Sequence, residues 1–193
     1  MGRFFRTKGV AEILFVLVLL STGSSLLLCW LFAQQETQLK GMQTDLLYSA
    51  GKYYESMARS LETVLKAEPG SRDTEIGLIM ADHMLANSME AYYIARSFIS
   101  MESRALIADI NQAMHKMLSE IHVSQDRQAI HALRDIAFHL SSAHEALQSM
   151  FEGESSRGIS HQYDRFVQNL LASLRENGQL ERLDSYRPGL TER

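Results

Sequence analysis

Apolar residues form one long run without charges near the start of the chain and helical stripes over most of the remainder. The run covers residues 13–33 (ILFVLVLLSTGSSLLLCWLFA) and contains no charged side chain. At about 1.5 Å of rise per helical residue it would be about 30 Å long, which matches the hydrocarbon core of a bilayer. The pattern therefore predicts a single transmembrane helix at residues 13–33.

After this run, apolar residues recur every three or four positions, as on one face of an amphipathic helix. The first stripe meets no strong helix breaker before Pro69, so the first soluble helix is expected to continue directly from the transmembrane segment. The second stripe predicts one long helix from about residue 72 to about residue 122, with a kink allowed at residues 100–104. A turn at residues 100–104, which would add one helix, is the alternative.

Two more helices are predicted in the second half of the chain. The first runs from a cap at Ser124 to about Glu152 and has the most regular apolar spacing of all. Residues 153–160 (GESSRGIS) have the composition of a loop. Ser160 then caps a last helix that Gly178 ends.

The predicted fold class is all-α, because alternation typical of strands is absent. A single N-terminal transmembrane helix continues into an antiparallel bundle of about four helices. The predicted parts are a basic N-terminus (1–12), the anchor (13–33), the helical bundle (34–177) and a flexible C-terminal tail with at most a docked turn (178–193).

The charges around the apolar run predict its topology. Arg3, Arg6 and Lys8 precede it, whereas Lys40 is the only basic residue close beyond its other end. Because basic residues stay on the cytoplasmic side, the N-terminus is expected in the cytoplasm and residues 34–193 outside it, with a bacterial inner membrane as the favoured location. The run exceeds the apolar core of a signal peptide, so an uncleaved anchor is predicted and cleavage after Ala33 is the alternative.

A patch of small residues lies inside the predicted anchor. Such a patch can let a second membrane helix approach closely, although it can equally be a tolerated interruption of the apolar run. It consists of Ser21, Thr22, Gly23, Ser24 and Ser25.

The overall charge excludes one class of partner. The net charge is −4, and no cluster of basic residues lies on one helical face beyond the N-terminus. Nucleic-acid binding is therefore not expected. Cys29 is the only cysteine, so the chain cannot form an internal disulfide.

Two groups of residues carry potential metal ligands. His131, Asp135 and His139 lie four residues apart on the third soluble helix, which is a spacing that a helical metal site can use. Their stripe lies nearly opposite the apolar seam of that helix, so a solvated polar face is the favoured interpretation.

A second group of candidate metal ligands contains thioether and imidazole groups that suit copper, but filling of the core is the favoured interpretation for it. Its members are Met80, His83, Met84, Met114, His115 and Met117.

Aromatic pairs are the best candidates for lining a ligand pocket. Each ring of Tyr53-Tyr54 and Tyr92-Tyr93 can be buried while its hydroxyl reaches a cavity, although ordinary core positions are favoured. His144 is expected at the edge of the core. No nucleophile elbow, phosphate-binding glycine loop or zinc-protease motif occurs. An enzyme is therefore not predicted, and neither is a cofactor.

The favoured hypothesis is a non-enzymatic, membrane-anchored helical module that binds a protein partner or a second copy of itself. In outline it resembles the extracytoplasmic bundles of bacterial sensor proteins, which usually return to the membrane through a second helix that this sequence lacks. An accessory or structural subunit of a membrane complex fits equally well. The alternative from another class is a bundle that binds a small molecule or a metal such as copper or zinc.

Overall fold

The computed structural model describes residues 2–95, 99–151 and 156–192. For residues 2–23, and for a few others, it describes the backbone alone (40, 43, 148, 149, 151, 156, 157, 159 and 160). Within these ranges the chain is all-helical, with six helices and no strand. The helices are α1 (Gly2–Lys66), α2 (Arg72–Ala95), α3 (Met101–Ser124), α4 (Arg127–Phe151), α5 (Ser156–Glu176) and α6 (Gln179–Tyr186).

The chain divides into two compact units, Met1–Gly41 and Met42–Arg193. In the first unit, seven large apolar side chains on the described part of α1 are exposed, namely Leu26, Leu27, Leu28, Trp30, Leu31, Phe32 and Leu39. Among the residues whose side chains are described, no helix combines the length and the apolar character needed to span a membrane. Residues 13–23 of the predicted anchor lie outside those residues.

The small-residue patch of the predicted anchor is described only at its end. Ser24 and Ser25 are exposed on α1. The other three members, Ser21, Thr22 and Gly23, lie outside the residues with described side chains.

The second unit is a helical bundle with one apolar core. Its large buried side chains come from every helix: Leu47, Met57 and Leu61 of α1, Leu78 and Leu85 of α2, Ile107, Ile110 and Leu118 of α3, Leu133, Ile136 and Leu140 of α4, Val167 and Leu174 of α5, and Leu180 and Leu183 of α6. Each such side chain contributes about 1.5–3 kcal/mol when it leaves water. The helical stripes of the sequence are thus the core of the bundle.

The predicted single helix over residues 72–122 is wrong, because α2 ends at Ala95 and α3 begins at Met101. The Ser100 side chain caps α3 by accepting a hydrogen bond from the Ser103 N–H at 3.1 Å. The hydroxyls of Ser100 and Ser103 also donate to the Asp164 carboxylate of α5, at 2.5 and 2.6 Å. A serine cap held by another helix therefore separates α2 from α3 without glycine or proline.

The predicted caps of the next two helices also differ from the structure. Asp126, not Ser124, caps α4, since its carboxylate accepts a hydrogen bond from the Gln128 N–H at 2.9 Å. Ser124 is instead the last residue of α3, which Gln125 terminates with a left-handed backbone (φ 51°). Helix α5 begins at Ser156, inside the predicted loop and before the predicted cap at Ser160.

The C-terminal segment is a packed helix rather than the predicted flexible tail. Gly178 ends α5 as predicted, with φ 66°, and α6 follows immediately. Leu180, Leu183 and Leu190 are at most 1% exposed, and α6 packs on α3 and α5. The Asp184 carboxylate then holds the chain after α6 by accepting hydrogen bonds from the backbone N–H groups of residues 190 and 191.

Candidate functional site

Five polar or aromatic side chains meet inside the bundle, one from each long helix. We call this group the tyrosine–histidine cluster; its members are Tyr54 (α1), Tyr92 (α2), Asn111 (α3), His144 (α4) and Tyr163 (α5). None is more than 7% exposed. The convergence of five helices on one polar group is unusual for a core, since a buried polar atom is costly unless it is hydrogen-bonded.

Hydrogen bonds join four members of the cluster in two pairs. The Tyr54 hydroxyl donates to the Asn111 side-chain carbonyl at 2.7 Å. The His144 Nδ1–H donates to the Leu140 carbonyl of its own helix at 2.6 Å, which leaves Nε2 as the acceptor of the neutral ring. Nε2 accepts the hydrogen bond of the Tyr92 hydroxyl. Helix α4 thus selects the histidine tautomer that can bind Tyr92.

Burial also sets the protonation states in the cluster. It lowers the pKa of His144 to about 4, against a smaller opposing effect of the Leu140 carbonyl. It raises the pKa of Tyr54 to about 12 and holds the pKa values of Tyr92 and Tyr163 well above their usual range. The cluster is therefore neutral at pH 7, and none of its members is a ready general acid or base.

Two hydroxyls beside these pairs have no hydrogen-bond partner among the described residues. They belong to Tyr163 and to Ser88 of α2, and both side chains are fully buried. Leaving a buried hydroxyl unpaired costs about 1–3 kcal/mol. The ring of Tyr163 is well packed, with its centroid 5.5 Å from that of Phe166 and 6.4 Å from that of Tyr92.

A cavity of about 400 Å³ opens next to the cluster, between α2, α3 and α5. Asn111 and Tyr163 line it and are at most 1% exposed, so they form its floor. Met89, Tyr92 and Ile99 supply apolar walls. Tyr93, which is 62% exposed, and the half-buried Arg104 lie at the mouth. The volume falls within the usual range of small-molecule sites, about 300–1,000 Å³.

The three candidate metal ligands of α4 lie at the surface. His131 is exposed, and the Asp135 carboxylate binds its neighbour Arg134 at 2.6 Å. His139 is half-buried, with Nε2 2.9 Å from the Ser173 hydroxyl, and burial lowers its pKa. Asp135 and His139 line an open groove of about 800 Å³ between α4 and α5. In the described part of the chain, no three His, Cys, Asp or Glu side chains come together as a metal-binding group.

The methionine and histidine candidates are divided between core and surface. Met114 and Met117 of α3 are fully buried, whereas Met80, His83 and His115 are exposed and Met84 is half-buried. His115 lies 3.3 Å from the Asp82 carboxylate. Because the thioethers of α3 face the core and the imidazoles face solvent, these six residues do not share one site.

The aromatic pairs are the sequence candidates that the structure brings to a cavity. Tyr92 and Tyr93 both line it, and Tyr54 contacts Asn111 on its floor, whereas Tyr53 is half-buried beside the core. Sequence reasoning missed Asn111 and Tyr163. A polar Asn on the apolar stripe of α3 was the available indication, since an amide in a core position needs a partner.

Searches against known protein families, curated proteins and solved structures returned no match.

Proposed function

We propose that this protein is a non-enzymatic, membrane-anchored helical module that binds a protein partner, either as a sensor-like domain or as an accessory subunit of a membrane complex. The observation that carries the proposal is the outer face of α2. Exposed apolar side chains are common singly, but a contiguous group of them is typical of an interaction surface.

The outer face of α2 is defined by Ile76, Ile79, Met80 and Ile94, which are 44–56% exposed. At 100° per residue these four side chains fall within an arc of about 100°. Ile76, Ile79 and Met80 lie together on it, and Ile94 lies about 21 Å further along the axis, beyond the polar side chains of His83, Asn87 and Glu90. The opposite side of the same helix is buried through Leu78, Ala81 and Leu85. Helix α2 therefore has one apolar side that the bundle buries and an outer side whose first two turns are apolar and exposed.

The charge of α2 favours a basic amphipathic helix as the occupant of this face. The helix carries one arginine and no lysine, against four carboxylates, Asp73, Glu75, Asp82 and Glu90. A second copy packed on the same face would bring two acidic helices together. A partner helix with apolar residues every three or four positions and Lys or Arg beside them fits both the apolar stripe and the charge.

The sequence supports the anchor. Residues 13–33 contain no charge, and the exposed apolar group from Leu26 to Phe32 on α1 would be unfavourable in water. With Arg3, Arg6 and Lys8 on the cytoplasmic side, the bundle lies outside the cytoplasm. Extraction of membranes with alkaline carbonate tests the anchor, and access of an impermeant reagent to a tag after residue 193 tests the side. Release of the protein from the membrane by carbonate would refute the anchor. A tag that proved to be cytoplasmic would refute the proposed side of the bundle.

Site-specific photo-crosslinking in cells tests the partner. A photoreactive residue at position 79 or 94 is expected to capture the same protein, whereas one at Val123 of α3, which is 89% exposed, captures none. Met80→Arg is expected to abolish capture at position 79, because a cation would face the basic side of the partner helix. Replacement of the basic residues of the captured helix by acidic ones should restore capture by the Met80→Arg variant.

Three outcomes would refute the partner proposal. The first is equal capture at position 123, which would indicate random collision. The second is a crosslink only to a second copy of the chain. The third is capture that survives Met80→Arg, because the outer face of α2 would then not be the contact surface.

A further inference from the structure

His144 lies where four helices meet, and three of them place an aromatic ring against its imidazole. The ring centroids of Phe166 (α5), Tyr54 (α1) and Tyr92 (α2) lie 5.0, 5.5 and 5.9 Å from that of His144. His144 is only 1% exposed. A proton added to Nε2 would create a charge with little access to water, and it would remove the acceptor of the Tyr92 hydroxyl.

The titratable side chains that face His144 from the neighbouring helices are tyrosines. Tyr54 and Tyr92 keep their protons, because burial raises the pKa of both, and the same holds for Tyr163 of α5. Helix α3 contributes the neutral amide of Asn111, which binds Tyr54. When the pH falls, His144 is therefore the member of the cluster that takes up a proton.

The charged groups around the cluster join other pairs of helices. Glu145 follows His144 on α4 and binds Lys52 of α1 at 3.4 Å, and Lys52 also binds Glu55 at 3.0 Å. On α5, Asp164 accepts hydrogen bonds from the serine cap of α3. Protonation of these carboxylates would weaken contacts of α1 with α4 and of α5 with α3, whereas the bond between α2 and α4 depends on His144.

Helix α2 is the neighbour of His144 that can move. Helix α1 lies so close that a Cβ atom on Gly51 would be 2.5 Å from Cβ of His144, and α5 packs on α4 along its length. The start of α2 is also fixed, since a Cβ atom on Gly77 would lie 2.5 Å from Cγ2 of Val64 on α1. The C-terminal half of α2 packs mainly on α3 and reaches α4 through the Tyr92 hydroxyl.

We propose that His144 is an acid-operated switch, in which protonation of the imidazole breaks its bond to Tyr92 and releases the C-terminal half of α2 from α4. The released half carries Ile94, at one end of the outer face of α2. A partner helix bound along that face would dissociate in acid. This consequence rests on the proposed function, whereas the movement of α2 does not need a partner.

Linkage sets the size of the response. In the released state the imidazole is solvated and titrates near pH 6.5, whereas burial lowers its pKa to about 4 in the closed state. Only the released state binds the proton between these values, so the closed state loses stability as the pH falls. The ratio of released to closed chains should rise about 30-fold between pH 7.5 and 5, and about 150-fold between pH 7.5 and 4.

Double electron–electron resonance on the full-length chain in nanodiscs measures the movement. Spin labels are attached to Glu90→Cys on α2 and Ser142→Cys on α4, both exposed positions, after Cys29→Ser removes the native thiol. A longer distance should gain population about 30-fold between pH 7.5 and 5. Labels at Lys116→Cys on α3 and Ser142→Cys should keep their distance. A change in this second pair would indicate general unfolding and would overturn the proposal.

Two variants assign the response to the bond. His144→Gln keeps a neutral acceptor for Tyr92 but does not titrate in this range, so the response should disappear although the surrounding carboxylates remain. A response that persists would assign it to those carboxylates and would overturn the proposal. Tyr92→Phe leaves the histidine in place and should raise the released population about fivefold at pH 7.5, because one hydrogen bond is lost. No change in this variant would equally overturn it.

Photo-crosslinking at position 94 in intact membranes separates this inference from the proposed function. Capture at pH 7.5 that is lost at pH 5, but retained by His144→Gln, supports both. Capture that survives pH 5 although the distance changes would refute the effect on the partner. A lack of capture at both pH values would refute the proposed function, and the distance measurement would still decide whether α2 moves.

Discussion

The Tyr92 hydroxyl of α2 donates its hydrogen bond to Nε2 of His144 on α4, in the centre of the bundle. The bond requires a neutral imidazole with its proton on Nδ1, and the Leu140 carbonyl binds that proton. Protonation of Nε2 would remove the acceptor and place a charge in a fully buried position. The contact between α2 and α4 is therefore coupled to the charge of one histidine.

The first prediction concerns acid stability. Burial lowers the pKa of His144 to about 4 in the folded chain, whereas an unfolded histidine titrates near 6.5. Between these values only the unfolded chain binds the proton, so stability falls as the pH falls from about 6.5 to about 4. The loss from this group is about 3 kcal/mol, and it is complete below pH 4, where both states are protonated.

Urea unfolding at pH 7.5, 6, 5 and 4 measures this loss, and His144→Gln is the control. Carboxylates also titrate in this range, but they do so in both the wild-type chain and the variant. The wild-type chain should lose about 3 kcal/mol more than the variant between pH 7.5 and 4. If the free energy of unfolding fell equally with pH in the wild-type chain and in the variant, His144 would not be held neutral in the folded state.

The second prediction compares one substitution at two tyrosines. Tyr54→Phe leaves the Asn111 carbonyl without its donor and should lower the free energy of unfolding by about 1–3 kcal/mol. Tyr163→Phe removes a buried hydroxyl that has no partner among the described residues, so it should be neutral or stabilising. Chemical denaturation measures the free energy of unfolding of both variants. A larger loss of stability for Tyr163→Phe than for Tyr54→Phe would contradict the assignment of the hydrogen-bonded hydroxyl to Tyr54.

The third prediction concerns the close approach of α1 to α4. A Cβ atom on Gly51 would lie 2.5 Å from Cβ of His144, and neither atom can move without its backbone. Gly51→Ala should therefore cost about 1–3 kcal/mol although alanine favours a helix. At Gly41 nothing lies within 4 Å of such a Cβ atom, so Gly41→Ala should cause no loss in a thermal melt. If Gly51→Ala and Gly41→Ala had equal effects on stability, α1 and α4 would be able to move apart without cost.

The fourth prediction concerns the C-terminal helix. Leu183 of α6 is fully buried, so Leu183→Ala should cost about 2–5 kcal/mol. Glu181, on the exposed side of the same helix, provides the control, and Glu181→Ala should change stability by less than about 0.5 kcal/mol. Denaturant midpoints measure both variants. If Leu183→Ala had no effect, α6 would not be part of the cooperative core.

Apolar periodicity predicted the all-helical class and the positions of α4 and α5, because a bundle core is built from residues at that spacing. It did not predict the break between α2 and α3. That break depends on the Ser100 cap and on Asp164, which is distant in sequence and holds both serines. A long-range contact of this kind leaves no periodic pattern.

The C-terminal segment was underestimated for a similar reason. Its few leucines looked too sparse for a core element, yet α3 and α5 provide the surface that makes three of them sufficient. The candidate site was predicted in part: the Tyr92-Tyr93 pair was identified, but its partners Asn111 and Tyr163 became visible only once α3 and α5 were placed beside it.

The burial of Leu190 has a consequence for biosynthesis. The bundle core includes side chains from residue 47 to residue 190, so it is complete only after residue 190 has been synthesised. Until then the preceding helices keep part of their apolar sides uncovered, and a growing chain would benefit from protection by chaperones.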